Sequence, residues 1–533
     1  MEYATAREPD AAVRGHTAEF LRVKALAERG VANAQHSLGF MYVNGQGVPQ
    51  DFALAVHWYL KAANAGLEHA QYNLGVMYQK GQGVQQDYQQ AAWWYARAAE
   101  QGYAAAQYNL GWLYAKGQGV AADVQQAMHW FSKAAEQGDA GAQNNLGMMY
   151  ETGKGVPQDF QQAIFWYRRA AEQGYARAQF NLALRYDNAQ GVPLDQKQAI
   201  SWFRKAAEQG YAPAQFNLAL RFDKGQGVPK SGQKAIAWYR RAAEQGHASS
   251  QFNLALVYDS GSHDVVRDEA MALEWFLKAA GQGHAGAQDN LGLRYEHGQG
   301  VVQDFEQAHG WYSKAVEQGF ASAQYHLGLL YDAGSGVERD PQEATAWFEK
   351  AAGQNHVRAQ FELGLRYEAG QHLQQDYRRA MAWYRRAADH EYAPAQFMVG
   401  ALFDSIEAGM FDSEQAYSWY RKAADQDYAR AQFALGLRYD SGQGVARDYE
   451  AAYFWYMRAA HQGHARAQFN LGLMYANGHG AKADVMQAFA WLQQAERAGV
   501  AAAAKYLKSA SARMNPAQLA YVQRLSLGAE LHA

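Results

Sequence analysis

Two polar side-chain types recur at a fixed interval in this chain and could do chemistry together. Asparagine stands at Asn73, Asn109, Asn145, Asn181, Asn217, Asn253, Asn290 and Asn470, and arginine stands four residues beyond the same position at Arg185, Arg221, Arg294, Arg366 and Arg438. Side chains four apart share one face of a helix. A carboxamide pairs with the N–H and C=O of a partner's backbone, and a guanidinium grips carboxylate or phosphate through two parallel hydrogen bonds. Together they suit a groove for an extended peptide or an acidic tail. The same residues also have an internal use, in which the asparagines bond to neighbouring repeats and the arginines pair with acids two positions on, Asp187, Asp223, Glu296, Glu368 and Asp440. In the first four intervals the arginine position is Met41, Met77, Leu113 and Met149, an apolar stretch that either packs or offers adaptable contacts.

Catalytic patterns are sparse. Ser231-Gly232-Gln233-Lys234 matches the Ser-x-x-Lys of penicillin-recognising enzymes but stands without the accompanying Ser-Asp-Asn and Lys-Thr-Gly. The Gly-x-Gly segments follow no strand, so they are turns and not dinucleotide fingerprints. Histidine pairs such as His461 and His464, or His284 and His297, lack further ligands at metal-site spacing. His57 and His129, beside Trp58 and Trp130, read as helix-surface or core-edge residues. No catalytic residue, metal ligand or cofactor is expected.

The elements that must carry these columns follow from the period. An Ala-Gln anchor recurs every thirty-six residues from Ala34 through Ala214, continues at Ser250, slips by one to Ala287 and resumes through Ala467, giving thirteen units. Within one unit Ala142, Leu146 and Tyr150 mark the stripe of a first helix, which Gly153-Lys154-Gly155-Val156-Pro157 stops. Asp159 is the N-cap of a second helix and Gln162 completes a capping-box pattern. Ala163, Trp166, Tyr167, Ala170 and Ala171 form its buried stripe, and Gly174 ends it. A hairpin this short cannot bury both stripes alone, so each stacks on its neighbours.

The unit AQNNLGMMYETGKGVPQDFQQAIFWYRRAAEQGYAR, residues 142–177, closely resembles the Sel1-like repeat, a relative of the tetratricopeptide repeat. The resemblance implies an all-α fold, a right-handed α/α superhelical solenoid whose first helices line the concave surface, and so places the Asn and Arg columns there. It also implies a scaffold or adaptor, as in degradation complexes, bacterial envelope assembly, host interaction or toxin immunity. The cysteine-rich branch linked to β-lactams is not matched, since the chain has no cysteine. Residues 1–33 are expected to form a tail and a capping helix with Leu21, Ala25 and Leu26 as its stripe. Residues 34–502 form the thirteen repeats. Residues 503–533 form capping helices, one from Ala503 to Arg513 and one that starts on Asn515-Pro516 and runs to about Leu527.

The pattern breaks in three places. The Gly-x-Gly-Val loop becomes Gly261-Ser262-His263-Asp264-Val265-Val266 in unit seven and Gly370-Gln371-His372-Leu373 in unit ten; in unit eleven it dissolves into Asp404 to Phe411. The C-terminal glycine of the second helix gives way to Asn355, Glu391 and Asp427. Residues 389–412, with Ile406, Met410 and Phe411, are a candidate contact or bend.

Forty-nine Lys and Arg against fifty-two Asp and Glu leave a net charge of -3, which favours neither nucleic acid nor an anionic membrane. Met1 to Phe20 builds no secretory core and no apolar run spans a bilayer, so the expectation is a cytoplasmic chain without membrane insertion, or a periplasmic or secreted one if a leader was removed. The expected function is non-catalytic binding of a partner protein, peptide or acidic segment, with a cell-wall or β-lactam hydrolase and a helical-repeat nucleic-acid binder as alternatives. Oligomeric state is left open.

Overall fold

The computed structural model describes residues 11–263 and 265–529. Met1 to Asp10, Asp264 of the seventh loop and residues 530–533 lie outside it. Every regular element among the described residues is an α-helix, and consecutive helices pack as antiparallel hairpins. The chain divides into two compact units, Met1–Ala279 and Ala280–Ala533.

A single repeat shows why these residues fold so. The first helix, Ala140–Thr152, buries Ala142, Gln143, Leu146, Gly147 and Met149. The second, Phe160–Glu172, buries Ala163, Ile164, Tyr167, Ala170 and Ala171. Met149 and Ile164 are therefore core, while Tyr150 and Trp166, placed in the stripes by the period alone, are half-buried. The early Met41, Met77, Leu113 and Met149 column packs inside and is no contact zone. Asp159 caps the second helix by accepting from Gln161 and Gln162 N–H at 2.8 and 3.0 Å. The reciprocal half of the capping box is not made, because the Asp159 N–H already donates to the Tyr150 carbonyl at 2.9 Å.

Tyr167 lies so flat on the first helix that a Cβ on Gly147 would sit 2.6 Å from its ring. The same position is alanine at Ala183, Ala219 and Ala255, each fully buried, so the column accepts nothing larger than a methyl group in these repeats. The second loop glycine answers a different need. At Gly83 a Cβ would fall 2.3 Å from the Phe52 carbonyl of the preceding repeat, and φ is +70°.

The glutamine of the Ala-Gln anchor ties three helices. Buried Gln143 donates to the Ala135 carbonyl at the end of the preceding second helix, 3.1 Å, and accepts from Gln173 at the end of its own second helix, 2.8 Å. The same relay recurs as Gln101 to Gln71, Gln209 to Gln179, Gln245 to Gln215 and Gln426 to Gln396. Where His390 replaces the donor, buried Gln360 Oε1 has no partner.

This relay also sets the N-terminal cap. Gln35 donates to Ala27 of the helix Ala11–Glu28, so Phe20 and Ala27 face the core and Phe20 meets Tyr42 edge-on at 5.7 Å. The expected stripe of Leu21, Ala25 and Leu26 points to solvent instead. At the other end, helices Ala503–Ala512 and Pro516–Ala529 follow the last repeat. Asn515 and Gln518 exchange reciprocal cap bonds at 2.9 and 3.0 Å, and Leu507 and Val522 cover Phe489 and Leu492.

Replacing Gln215 by leucine removes its bonds to the Ala207 carbonyl and the Gln245 amide, which keep the Gly210 N–H and the Arg241 carbonyl as second partners, so each lost bond costs about 0.5–1.5 kcal/mol. The expected outcome is faster hydrogen exchange confined to the fifth to seventh repeats, with distant repeats unchanged. Uniform loosening along the chain would reject the relay as a local tie.

Candidate binding face of the first helices

The arginine column lies inside the stack. Arg294, Arg438, Arg185 and Arg366 are 2, 3, 6 and 6% exposed. Each acid they meet comes from the preceding repeat and not from two positions on in the same helix. Arg185 pairs with Glu151 at 2.8 Å, Arg366 with Asp332 at 2.7 Å, Arg438 with Asp404 at 2.6 Å, and Arg221 with Asp187. Arg294 donates to the Gln299 carbonyl at 3.1 Å. Residues two apart diverge around a helix, so the in-helix pairing was sterically excluded. Where no arginine follows, the acid takes another donor: Glu296 and Glu368 accept from Tyr312 and Tyr384 at 2.6 and 2.5 Å, and Asp223 meets His263 at 2.7 Å. Burial first, and then these carboxylates, push the Tyr312 and Tyr384 phenols well above their ordinary value. Arg185, Arg221, Arg366 and Arg438 thus join repeat to repeat, and their charge is spent there.

The asparagines are half-buried and knit the same seam. Asn73 bonds to His36 of the preceding repeat at 2.9 Å and Asn181 to Asn144 at 3.0 Å. Asn217 and Asn290 donate one turn back, to the Pro213 and Gly286 carbonyls. Asn109 lies beside Tyr72 and Tyr95, Asn145 beside Tyr108, Asn253 beside Tyr239 and Asn470 beside Tyr456.

What the first helices leave exposed is a different pair of columns. Six residues after the anchor alanine stand Phe40, Met148, Leu256 and Leu437, 47, 45, 38 and 42% exposed, with half-buried Trp112, Leu293 and Leu365 at the same position. One residue before the anchor stand Arg177, Arg358, Arg430 and Arg466, all exposed. The sequence carried the signal. Met148 falls off the stripe set by Ala142, Leu146 and Met149, yet its position is apolar in every repeat. Each unit has a hollow on this face. In the first, Tyr108, Trp112, Asn145 and Met148 line about 330 Å³ with Lys116, Lys154 and Arg177. In the second, Phe397, Tyr420, Phe433, Leu437 and His464 line about 680 Å³ with Arg430, Arg438 and Arg466.

The model for the Sel1 repeat matches thirteen times in succession, from 32–67 through 465–500. The chain belongs to the Sel1 repeat family. It is similar to the crystal structure of a protective antigen of uropathogenic Escherichia coli that displays this repeat fold. Identity is 35%, coverage is 82% of this chain and 93% of that one, and the TM-score is 0.65. A Sel1 repeat protein of Oxalobacter formigenes is 32% identical over 46% of this chain and 96% of its own, TM-score 0.43. An immunity protein of Pseudomonas aeruginosa is 23% identical over 40% and 81%, TM-score 0.29. No protein of curated function matches. Proteins built of Sel1 repeats are in general protein-interaction scaffolds, and they bind protein partners.

The irregular Sel1 repeats keep the backbone and change the side chain. His263 and His372 hold φ of 62° and 58° in the second-glycine position, and Asn355, Glu391 and Asp427 hold 64°, 59° and 59° at the helix end. These conformations cost about 1–2 kcal/mol each in a residue with a Cβ. His263 fits because Gly232 faces it: a Cβ there would lie 2.2 Å from the imidazole. In the eleventh repeat the first helix, Ala393–Asp404, ends early on extended Ser405. Ile406 and Phe411 are exposed at 83 and 54%, while Met410 is half-buried against the core around Leu402.

Ser231 is an N-cap whose Oγ accepts the Lys234 N–H at 3.5 Å, and Lys234 Nζ lies 5.4 Å from the Phe222 ring. Among the described residues no three His, Asp or Glu converge as a metal site would, and no helix is long and apolar enough to cross a membrane.

Histidines cap first helices, a role the sequence did not suggest. His247, His284, His356 and His464 each accept the backbone N–H three residues on through Nδ1, at 3.2–3.3 Å. An acceptor nitrogen must be unprotonated. Burial, with His326 nearby, lowers His356 to about 4. A folded pKa below the unfolded 6.5 means that stability is present above pH 6.5 and is lost as pH falls toward 4. Thermal melts should therefore fall across this window, and His356→Asn, which keeps a cap acceptor without the titration, should flatten the fall. An unchanged slope would remove His356 as its source.

Proposed function

We propose that this Sel1 repeat protein is a non-catalytic scaffold that holds a partner protein, as an extended segment, on the exposed face of its first helices. The observation that carries the reading is the apolar column of Phe40, Met148, Leu256 and Leu437, which the core does not need and water does not favour. Side chains so exposed at one register position suit a partner segment that follows the repeats within a unit. The half-exposed amides of Asn73, Asn109, Asn145, Asn181, Asn217, Asn253, Asn290 and Asn470 flank that column and supply hydrogen bonds to a peptide backbone. Arg185, Arg221, Arg366 and Arg438 serve the face by holding its repeats in register, and Arg294 by holding the loop of its own repeat. Ile406 and Phe411 offer a second, local contact, with Met410 anchoring the loop beneath them. The partner classes that suit such a face are a toxin-like enzyme neutralised by a bacterial immunity protein and a component of envelope assembly.

The hydrolase alternative draws no support from Ser231, whose hydroxyl is engaged as a helix cap. Nucleic acid draws none from a net charge of -3.

The test is partner retention by the full chain. Replacing Leu256 and Leu437 by aspartate should weaken a co-purifying protein at least tenfold and leave the melting temperature nearly unchanged, since both side chains are exposed. Retention of the partner would overturn the reading. Arg366→Met, in contrast, removes the partner of Asp332 and should destabilise by about 1–2 kcal/mol, less than for a fully buried pair because Asp332 is 38% exposed.

A further inference from the structure

The hollow in the second unit combines two features that the rest of the face offers separately. Its lining contains three arginines and one carboxylate. That carboxylate, Asp404, is taken by Arg438 at 2.6 Å. Arg430 and Arg466 remain, exposed, at the same position of consecutive repeats, and neither forms an ion pair among the described residues. Between them lies an aromatic floor. Phe433 stacks on His464 with ring centroids 4.6 Å apart and planes 29° apart, and Phe397 packs on Tyr420 at 5.4 Å. Leu437, 42% exposed, completes it.

His464 adds no third charge. Its Nδ1 accepts the Ala467 N–H at 3.2 Å, which leaves the proton on Nε2 and makes that atom a donor. Burial and the two arginines hold its pKa below the usual histidine value. The hollow therefore presents two uncompensated guanidinium groups and one neutral N–H donor around an apolar surface.

We propose that this hollow binds an acidic side chain of an extended peptide between Arg430 and Arg466, with the neighbouring apolar side chain seated on Phe433, His464 and Leu437. The inference rests on the proposed first-helix binding face and names the chemistry of its ligand there. Charge complementarity selects the occupant: guanidinium forks match a carboxylate, and about 680 Å³ accommodates a few side chains. Two cations beside an apolar floor are too short a track for a nucleic-acid backbone, which draws its affinity from many phosphate contacts.

The experiment uses the full chain and a fluorescein-labelled peptide in which Glu-Leu-Glu is flanked by glycine and serine. Companion probes carry Gln-Leu-Gln or Glu-Ala-Glu, and an oligothymidylate represents polyanions. The Glu-Leu-Glu peptide should bind, and both the Gln-Leu-Gln exchange and the double variant Arg430→Gln/Arg466→Gln should weaken it by about tenfold. Both arginines are exposed, so the variant should melt like the parent. Equal binding of the Glu and Gln peptides, undiminished binding to the double variant, or no peptide binding overturns the proposal, as does oligothymidylate binding more tightly than the peptide. If binding depends on the leucine but not on the glutamates, the acidic ligand is wrong and the binding face stands. If Leu437→Asp also changes neither peptide nor partner binding, the face falls with it.

Discussion

A buried glutamine is the constraint on which the rest of this structure depends. A carboxamide in an apolar stack is costly unless both its ends are bonded, and here the N–H end takes a carbonyl at the close of one helix while the oxygen takes a donor from another. Three helices must meet at one point for that to happen. The alanines around it, Ala134, Ala135, Ala142, Ala170 and Ala171, are small because the helices approach closely there. Tyr167 then fills the space between the helices and leaves no room for a Cβ on Gly147 opposite. The thirty-six-residue period follows from repeating this junction.

Once the junction is set, the remaining faces divide their work. The seam between first helices is ionic and amide-rich, with Arg185 on Glu151 and Asn181 on Asn144. The second helices carry tryptophan with a cation over it, as Lys205 over Trp202 at 4.0 Å and Lys350 over Trp347 at 3.6 Å. That arrangement covers an aromatic face without a further layer of protein. The exposed members of the first-helix column, Met148 and Leu437 among them, belong to no core cluster, which is why binding explains them best.

The fold was legible because one period states it thirteen times. The helix ends at Gly153 and Asp159, and the cap at Asn515, were readable from single residues. The site was less so. Arg185 and Arg366 looked like ligands because arginine is seldom buried, and the acids that bury them stand thirty-four residues away, a separation that a search within one helix does not span. The stripe of the first capping helix was misread for a related reason. Leu21 and Leu26 are more hydrophobic than Ala27, but Ala27 carries the carbonyl that Gln35 seeks, and that bond sets the rotation. The apolar column was visible in the period, but Trp112, Leu293 and Leu365 do pack on the core, which hides that Phe40, Met148, Leu256 and Leu437 stand exposed.

The missing donor at His390 has a mechanical meaning. In a linear stack, force passes through each joint in series, so yield begins at the joint with the fewest ties. Gln360 lacks its second bond there, the adjoining turn holds Glu391 in a conformation glycine prefers, and the next first helix stops early at Asp404. Under tension or thermal agitation, the second unit should yield first between the two helices of the tenth repeat and at the turn that follows them, which makes that stretch its fuse.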